Sequence, residues 1–144
     1  HCMRWLGLSK RCLEEASAYV AYRMSFGQTL AAHEGVQWML GDVAKDIQIG
    51  RLLTMQAAWK LDQGDFARSD ISIAKIHAAD TLHKAADTAI QLLGARGYSK
   101  DTIVEWIYRY ARQARLVDGA SEIHKMVLSR AYLSEGQDFF RWGV

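Results

Sequence analysis

Arg23 leads into Met24-Ser25-Phe26-Gly27 where an apolar helical stripe runs out. A bidentate guanidinium at a helix end can meet either a phosphate or a carboxylate of a neighbouring helix. Gln91, near the end of another helical segment, offers an amide that can satisfy a ligand or cap a nearby turn. The string Gly94-Ala95-Arg96-Gly97 follows a helix rather than a strand, so it reads as a helix stop and not as a dinucleotide-fold signature. Asp118-Gly119 precedes the last helical segment, where Asp serves as an N-cap and Gly as a flexible joint. Arg109, Arg112 and Arg115 make a row of the kind that lines a solvated or salt-bridged face. None of the histidines, His1, His33, His77, His83 and His124, stands three or four residues from another His or a Cys, so no metal-ligand pattern exists. There is no Gly-x-Ser-x-Gly elbow and no Walker loop.

These residues must be positioned by helices. The 144 residues include no Pro, which speaks for long uninterrupted helices joined by short turns. Leu6, Leu13, Ala16, Val20 and Met24 form one stripe, predicting a first helix that ends near Ser25-Phe26-Gly27 with Gly27 as left-handed C-cap. A second helix runs from about Leu30 to Leu61, roughly 45 Å at ~1.5 Å per residue, which favours an elongated bundle. A third, capped by Ser69 or Asp70, carries the small-residue stripe Ala74, Ala78, Leu82, Ala85, Ala89 and Leu93 and stops at Gly94. Asp101 caps a shorter fourth helix to about Arg115, and Asp118-Gly119-Ala120-Ser121 opens a fifth. Phe139 to Val144 forms an apolar tail without a period. The spacing thus predicts an all-α, antiparallel, four-helix-bundle-like domain with a short extra helix over residues 1–144.

A net charge of +2 is too balanced for a duplex-binding face, and no stretch approaches the ~20 apolar residues of a membrane span. Cys2 and Cys12 lie about 80° out of phase on a helix, which disfavours a bridge between them. A first residue of His without a charged-then-apolar leader suggests a chain that begins inside a longer polypeptide, with any targeting signal outside it.

In combination and in this order, the strings resemble the C-terminal helical domain of the acyl-CoA dehydrogenases. Tyr22-Arg23-Met24-Ser25-Phe26-Gly27-Gln28 is similar to the family's Arg-x-x-Phe-Gly string, and His33-Glu34 stands where the family often has His-Gln. Ala89-Ile90-Gln91-Leu92-Leu93-Gly94-Ala95-Arg96-Gly97-Tyr98 resembles Ala-x-Gln-x-x-Gly-Gly-x-Gly-Tyr. Arg109-Tyr110-Ala111-Arg112 resembles Arg-Asp-Ala-Arg, and Asp118-Gly119-Ala120-Ser121-Glu122-Ile123 resembles Glu-Gly-Thr-Ser-Glu-Ile. Ile103 stands where the family often has Pro after its Gly-Tyr turn.

The resemblance implies an FAD-dependent oxidoreductase acting on an acyl-CoA substrate and passing electrons to an electron-transfer acceptor. It also implies a homodimer or homotetramer, with FAD held partly across the subunit interface. Arg23 would contact the pyrophosphate with Ser25 and Phe26 beside it, and Glu34 would join the same cofactor site. Gln91 with Gly94 and Ala95 would meet the adenosine end, while Ala120 and Glu122 touch FAD elsewhere. Asp118 stands where many members carry the glutamate that removes the α-proton, and Gly119 beside it would touch substrate. Asp is shorter than Glu by one methylene, roughly 1.5 Å of reach. Asp118-Gly119-x-x-Glu122-Ile123-His124, with His1-Cys2-Met3-Arg4, looks most like the subgroup of family members ten and eleven. That subgroup implies the alternative of a 4-hydroxyacyl-CoA-processing member using Asp118 for elimination or isomerisation. Other members place the base on the first helix, upstream of His1. A non-catalytic helical oligomerisation module is the reading from a different class. The family also implies that 1–144 alone lacks the β-domain and N-terminal helical domain needed for catalysis. Its setting would be cytoplasmic in a bacterium, and mitochondrial or peroxisomal in a eukaryote.

Overall fold

Four helices do most of the packing in the computed structural model, which describes residues 1–141. They are α1 (Cys2–Tyr22), α2 (Glu34–Asp62), α3 (Arg68–Leu93) and α6 (Ser121–Glu135), with the shorter α4 (Ala95–Tyr98) and α5 (Val104–Gln113) between the last two. The expected all-α bundle is what forms. Its hub is α3, which packs on α1, α2, α5 and α6. The reason lies in its sequence: Ala74, Ala78, Ala85 and Ala89 are all buried, and their small side chains let neighbouring backbones come close. Trp5, Leu6 and Val20 of α1, Val43 and Ile47 of α2, and Val104 and Ile107 of α5 fill the core around them. At Gly50 the approach is closest, since a Cβ there would lie 2.6 Å from Leu6 Cδ2.

The helix ends depart from the sequence expectations, each for a local reason. Helix α1 stops at Tyr22, and Gly27 does not close it. Instead β1 (Met24–Ser25) pairs antiparallel with β2 (Gln28–Thr29), turning on Phe26 and Gly27 with φ of 49° and 81°. Two residues at positive φ are what a tight hairpin of the right twist requires. A 3-10 turn at Leu30–Ala32 follows, so α2 begins later than the apolar spacing implied. Neither Ser69 nor Asp70 caps α3, which starts after the left-handed Ala67, whose N–H is taken by Asp65 Oδ1 at 3.0 Å. Asp70 lies in the first turn and instead receives Gln56 Nε2 and Lys60 Nζ from α2, both at 2.9 Å. Asp101 does not cap α5, because Thr102 Oγ1 accepts the Val104 N–H at 3.3 Å. Ala120, not Asp118, is the N-cap of α6. Phe139 and Phe140 are packed edge-on to Tyr132 within a 3-10 turn at Gly136–Phe140, and the rest of the expected apolar tail, 142–144, lies outside the described residues. Both cysteines are free, and among the described residues no helix is long and apolar enough to cross a membrane.

Candidate functional site

The chemistry-bearing residues divide between the two ends of α1. At its N-terminal end the α5–α6 connection folds over, bringing Asp118 and Gly119 to the bundle surface. Both are left-handed, with φ of 54° and 86°, an uncommon conformation for Asp and an easy one for Gly. A Cβ on Gly119 would meet His124 Nε2 at 3.0 Å, so the glycine is needed for space as well as for backbone. The half-exposed Asp118 carboxylate pairs with His1, whose Nδ1 lies 2.6 Å from Oδ2. His1 in turn stacks on Trp5, 5.5 Å between centroids, and Trp5 is 1% exposed.

Two side chains reach the carbonyls of this bend from beneath. His124 Nε2 lies 3.1 Å from the Asp118 carbonyl, and its Nδ1 lies 3.1 Å from Ser72 Oγ. A carbonyl only accepts, so Nε2 carries the proton and a neutral ring accepts from the Ser72 hydroxyl. Lys75 Nζ donates to the Gly119 carbonyl at 2.6 Å and lies 5.7 Å over the Trp5 ring. Burial holds the Lys75 ammonium below its ordinary pKa, opposed by the negative charge of Asp118 and, less strongly, by Cys2, Glu122 and Asp80. A cleft of about 670 Å³ opens beside the bend, lined by Ile71, Ser72, Asp118, Gly119, Ile123 and His124. Ala120 and the exposed Glu122 continue the same edge, with Arg115 Nη2 at 3.8 Å from Glu122.

At the other end of α1 stand the remaining candidates. Tyr22 OH accepts from Arg96 Nη1 at 2.9 Å, and the Arg96 guanidinium sits 6.0 Å over Tyr19, so the end of α1 abuts the turn that closes α3. This contact puts Arg23 and the hairpin at the same end as Gln91, Gly94 and Ala95. Arg23 and Gln91 are exposed, and among the described residues neither side chain makes a hydrogen bond or ion pair. Phe26 at the hairpin tip is 97% exposed. Ser25 is half-buried, its carbonyl 3.1 Å from His33 Nε2, and His33 Nδ1 lies 3.1 Å from Gln28 Nε2, which ties the hairpin to the start of α2 at the exposed Glu34. Gly94 has φ of 62° with open space where a Cβ would stand, so another molecule's backbone-distance approach is unobstructed. An unpaired guanidinium, an unpaired amide, a projecting aromatic ring and a bare glycine backbone are a donor set that fits a diphosphate and its attached nucleoside.

The candidates therefore do not form one cluster. Helix α1 has 21 residues, about 30 Å at ~1.5 Å per residue, and it separates Arg23, Ser25, Phe26, Gln91, Gly94 and Ala95 from Asp118, Gly119, Ala120 and Glu122. The resemblance named all of the latter but missed Lys75 and Ser72 beneath them. A signal for Lys75 was present: it falls in phase with the buried Ala78, Ala79 and Leu82, and a lysine on a buried stripe needs a polar partner. Among the described residues no group of three His, Cys, Asp or Glu is placed to hold a metal.

The family model for "Acyl-CoA dehydrogenase, C-terminal domain" matches residues 1–133. The short-chain specific acyl-CoA dehydrogenase of Clostridium acetobutylicum is 36% identical over 124 residues, 86% of this chain and 33% of that protein. A putative acyl-CoA dehydrogenase from Mycobacterium abscessus superposes with a TM-score of 0.91 at 34% identity, covering 94% of this chain and 34% of that one. Butyryl-CoA dehydrogenase from Megasphaera elsdenii does so with a TM-score of 0.87 at 30% identity, covering 92% and 34%. The bundle, with its two sets of polar residues at opposite ends, has the fold of the part of these relatives that it matches. The chain belongs to the acyl-CoA dehydrogenase family and spans about a third of the length of the relatives it matches.

Proposed function

We propose that this chain is the C-terminal domain of an FAD-dependent acyl-CoA dehydrogenase, with Asp118 as the group that removes the substrate α-proton. The observation that carries the cofactor part is the placing of Arg23 and Gln91 at one end of the bundle beside the bare Gly94 backbone, both solvent-facing and without a side-chain partner among the described residues. Groups tied to carboxylates or turns of the bundle would leave no donors there for a diphosphate. Bound FAD supplies a hydride acceptor. The ~30 Å between the two ends suits contacts to two flavins across a subunit interface, with Arg23 and Gln91 holding the diphosphate and nucleoside of one and the Asp118 bend facing the other.

The Asp118 carboxylate takes the proton while Lys75 and His124 keep the bend in place. Asp118, Gly119 and Ala120 have amide N–H groups with no internal acceptor among the described residues, so a thioester carbonyl can be received there. A second reading has one specific observation behind it: the His1 imidazole beside Asp118 supplies a proton donor next to the base. That pair suits elimination or isomerisation of a 4-hydroxyacyl-CoA, which needs an acid as well as a base. The test uses the full-length protein that carries this chain. A flavin spectrum after purification, bleached anaerobically by straight-chain acyl-CoA, is the expected result. Conversion of 4-hydroxyacyl-CoA without net bleaching, and no bleaching by straight-chain acyl-CoA, selects the second reading, and a colourless protein that takes up no FAD overturns both.

A further inference from the structure

A lysine that is 5% exposed in the core of a helical bundle needs a reason, because an ammonium taken out of water is costly unless other groups replace its hydration. Lys75 forms no ion pair with a carboxylate among the described residues. Its one hydrogen bond, 2.6 Å long, goes to the Gly119 carbonyl 44 residues away, and the face of Trp5 lies beneath it. The two successive carbonyls of the left-handed bend are therefore held from two helices, Asp118 by His124 of α6 and Gly119 by Lys75 of α3. These two tethers act on the backbone of the bend itself, beside the His1 ion pair to the Asp118 side chain and the Ser121 N–H to Arg115 carbonyl bond that closes it, and hold an Asp in a conformation that L residues disfavour. We infer that Lys75 is a positioning residue for proton transfer, whose ammonium fixes the bend that aims Asp118. The inference rests on the reading of Asp118 as the base.

Asp118 is the first of the charges that oppose the effect of burial on Lys75, which fits an ammonium held against the same bend as that carboxylate. The flavin-holding residues lie at the opposite end of α1 and are untouched.

The experiment compares full-length wild type with Lys75→Met, by flavin content, anaerobic bleaching over a range of acyl-CoA concentrations, and deuterium uptake at the amides of Val117 and Ser121, which close the two sides of the bend on the Gln113 and Arg115 carbonyls. The expected result is unchanged flavin content, an unchanged half-saturating acyl-CoA concentration and a maximal bleaching rate lower by about tenfold or more, since misplacing a catalytic group by an ångström costs rate rather than binding. Faster deuterium uptake in the bend accompanies these changes. A wild-type maximal rate overturns the inference. A lower rate with bend amides as protected as in the wild type overturns it too, because that is what a purely packing role would give. Should Lys75→Met fail to accumulate, Lys75→Gln, which keeps a polar end but is too short to hold Gly119, is read in the same way. If no acyl-CoA bleaches the wild type, the Asp118 reading falls, and the uptake measurement alone then decides whether Lys75 holds the bend.

Discussion

Arg23 and Gln91 are exposed and make no side-chain bond among the described residues, and this makes them clean probes of the ligand. Truncating an exposed side chain without partners changes stability by no more than about 0.5 kcal/mol, whereas losing a charge-assisted bond to a phosphate costs about 1.5–3 kcal/mol. Arg23→Met is therefore expected to weaken FAD retention by at least about tenfold with an unaltered unfolding midpoint of the apoprotein, measured by flavin titration and by melting. At the core, burial pushes the Cys12 thiol from 9.0 up to about 12. A thiol that resists ionisation in the folded state contributes stability that is complete below pH 9 and is lost as the pH rises towards 12. Unfolding free energy is accordingly expected to fall with pH in that window, and Cys12→Ala to flatten the slope while lowering stability overall. What sequence showed of the site follows the same division. Asp118, Arg23 and Gln91 stand out because their neighbours form recognisable strings. Lys75 does not, because its meaning lies in a contact 44 residues away.

Helices α1, α2 and α3 were legible because each carries an apolar or small-residue stripe over many turns, a signal that grows with length. Their ends were not. Positive φ at Phe26 and Ala67, both non-glycine, comes from tertiary constraints that propensity does not encode, so a hairpin stood where a C-cap was expected and α3 started ahead of Ser69. Asp70 looked like a cap but answers to Lys60 and Gln56 across the helix pair. Two glycines separate propensity from packing. Gly41 lies in exposed α2 with nothing within 4 Å of a built Cβ, so Gly41→Ala is expected to raise stability by about 0.5–1 kcal/mol. Gly97 in α4 would place a Cβ 2.9 Å from the Ile90 backbone, and Gly97→Ala is expected to lower it by about 1–3 kcal/mol. Urea midpoints of the two variants check both signs, and equal shifts would mean that packing at the α3–α4 turn is looser than described.

Over the whole molecule, one run of large apolar side chains stays open to solvent along α2. Leu52, Met55 and Trp59 project from α2 at 58%, 62% and 47% exposure, on one face by their spacing. Residues 1–144 produced alone are expected to self-associate in a concentration-dependent way, and Leu52→Glu with Met55→Glu to suppress this at unchanged helical content, as read by sedimentation and circular dichroism. The proposed activity joins the scales, because it needs a flavin held at one end of the bundle and a carboxylate aimed at the other. Stopped-flow bleaching of the full-length flavoprotein by acyl-CoA, wild type against Asp118→Asn, tests that claim most directly. Loss of a general base predicts a fall of about a hundredfold to ten-thousandfold with flavin content intact. Bleaching of Asp118→Asn at the wild-type rate would contradict the account and place the base elsewhere.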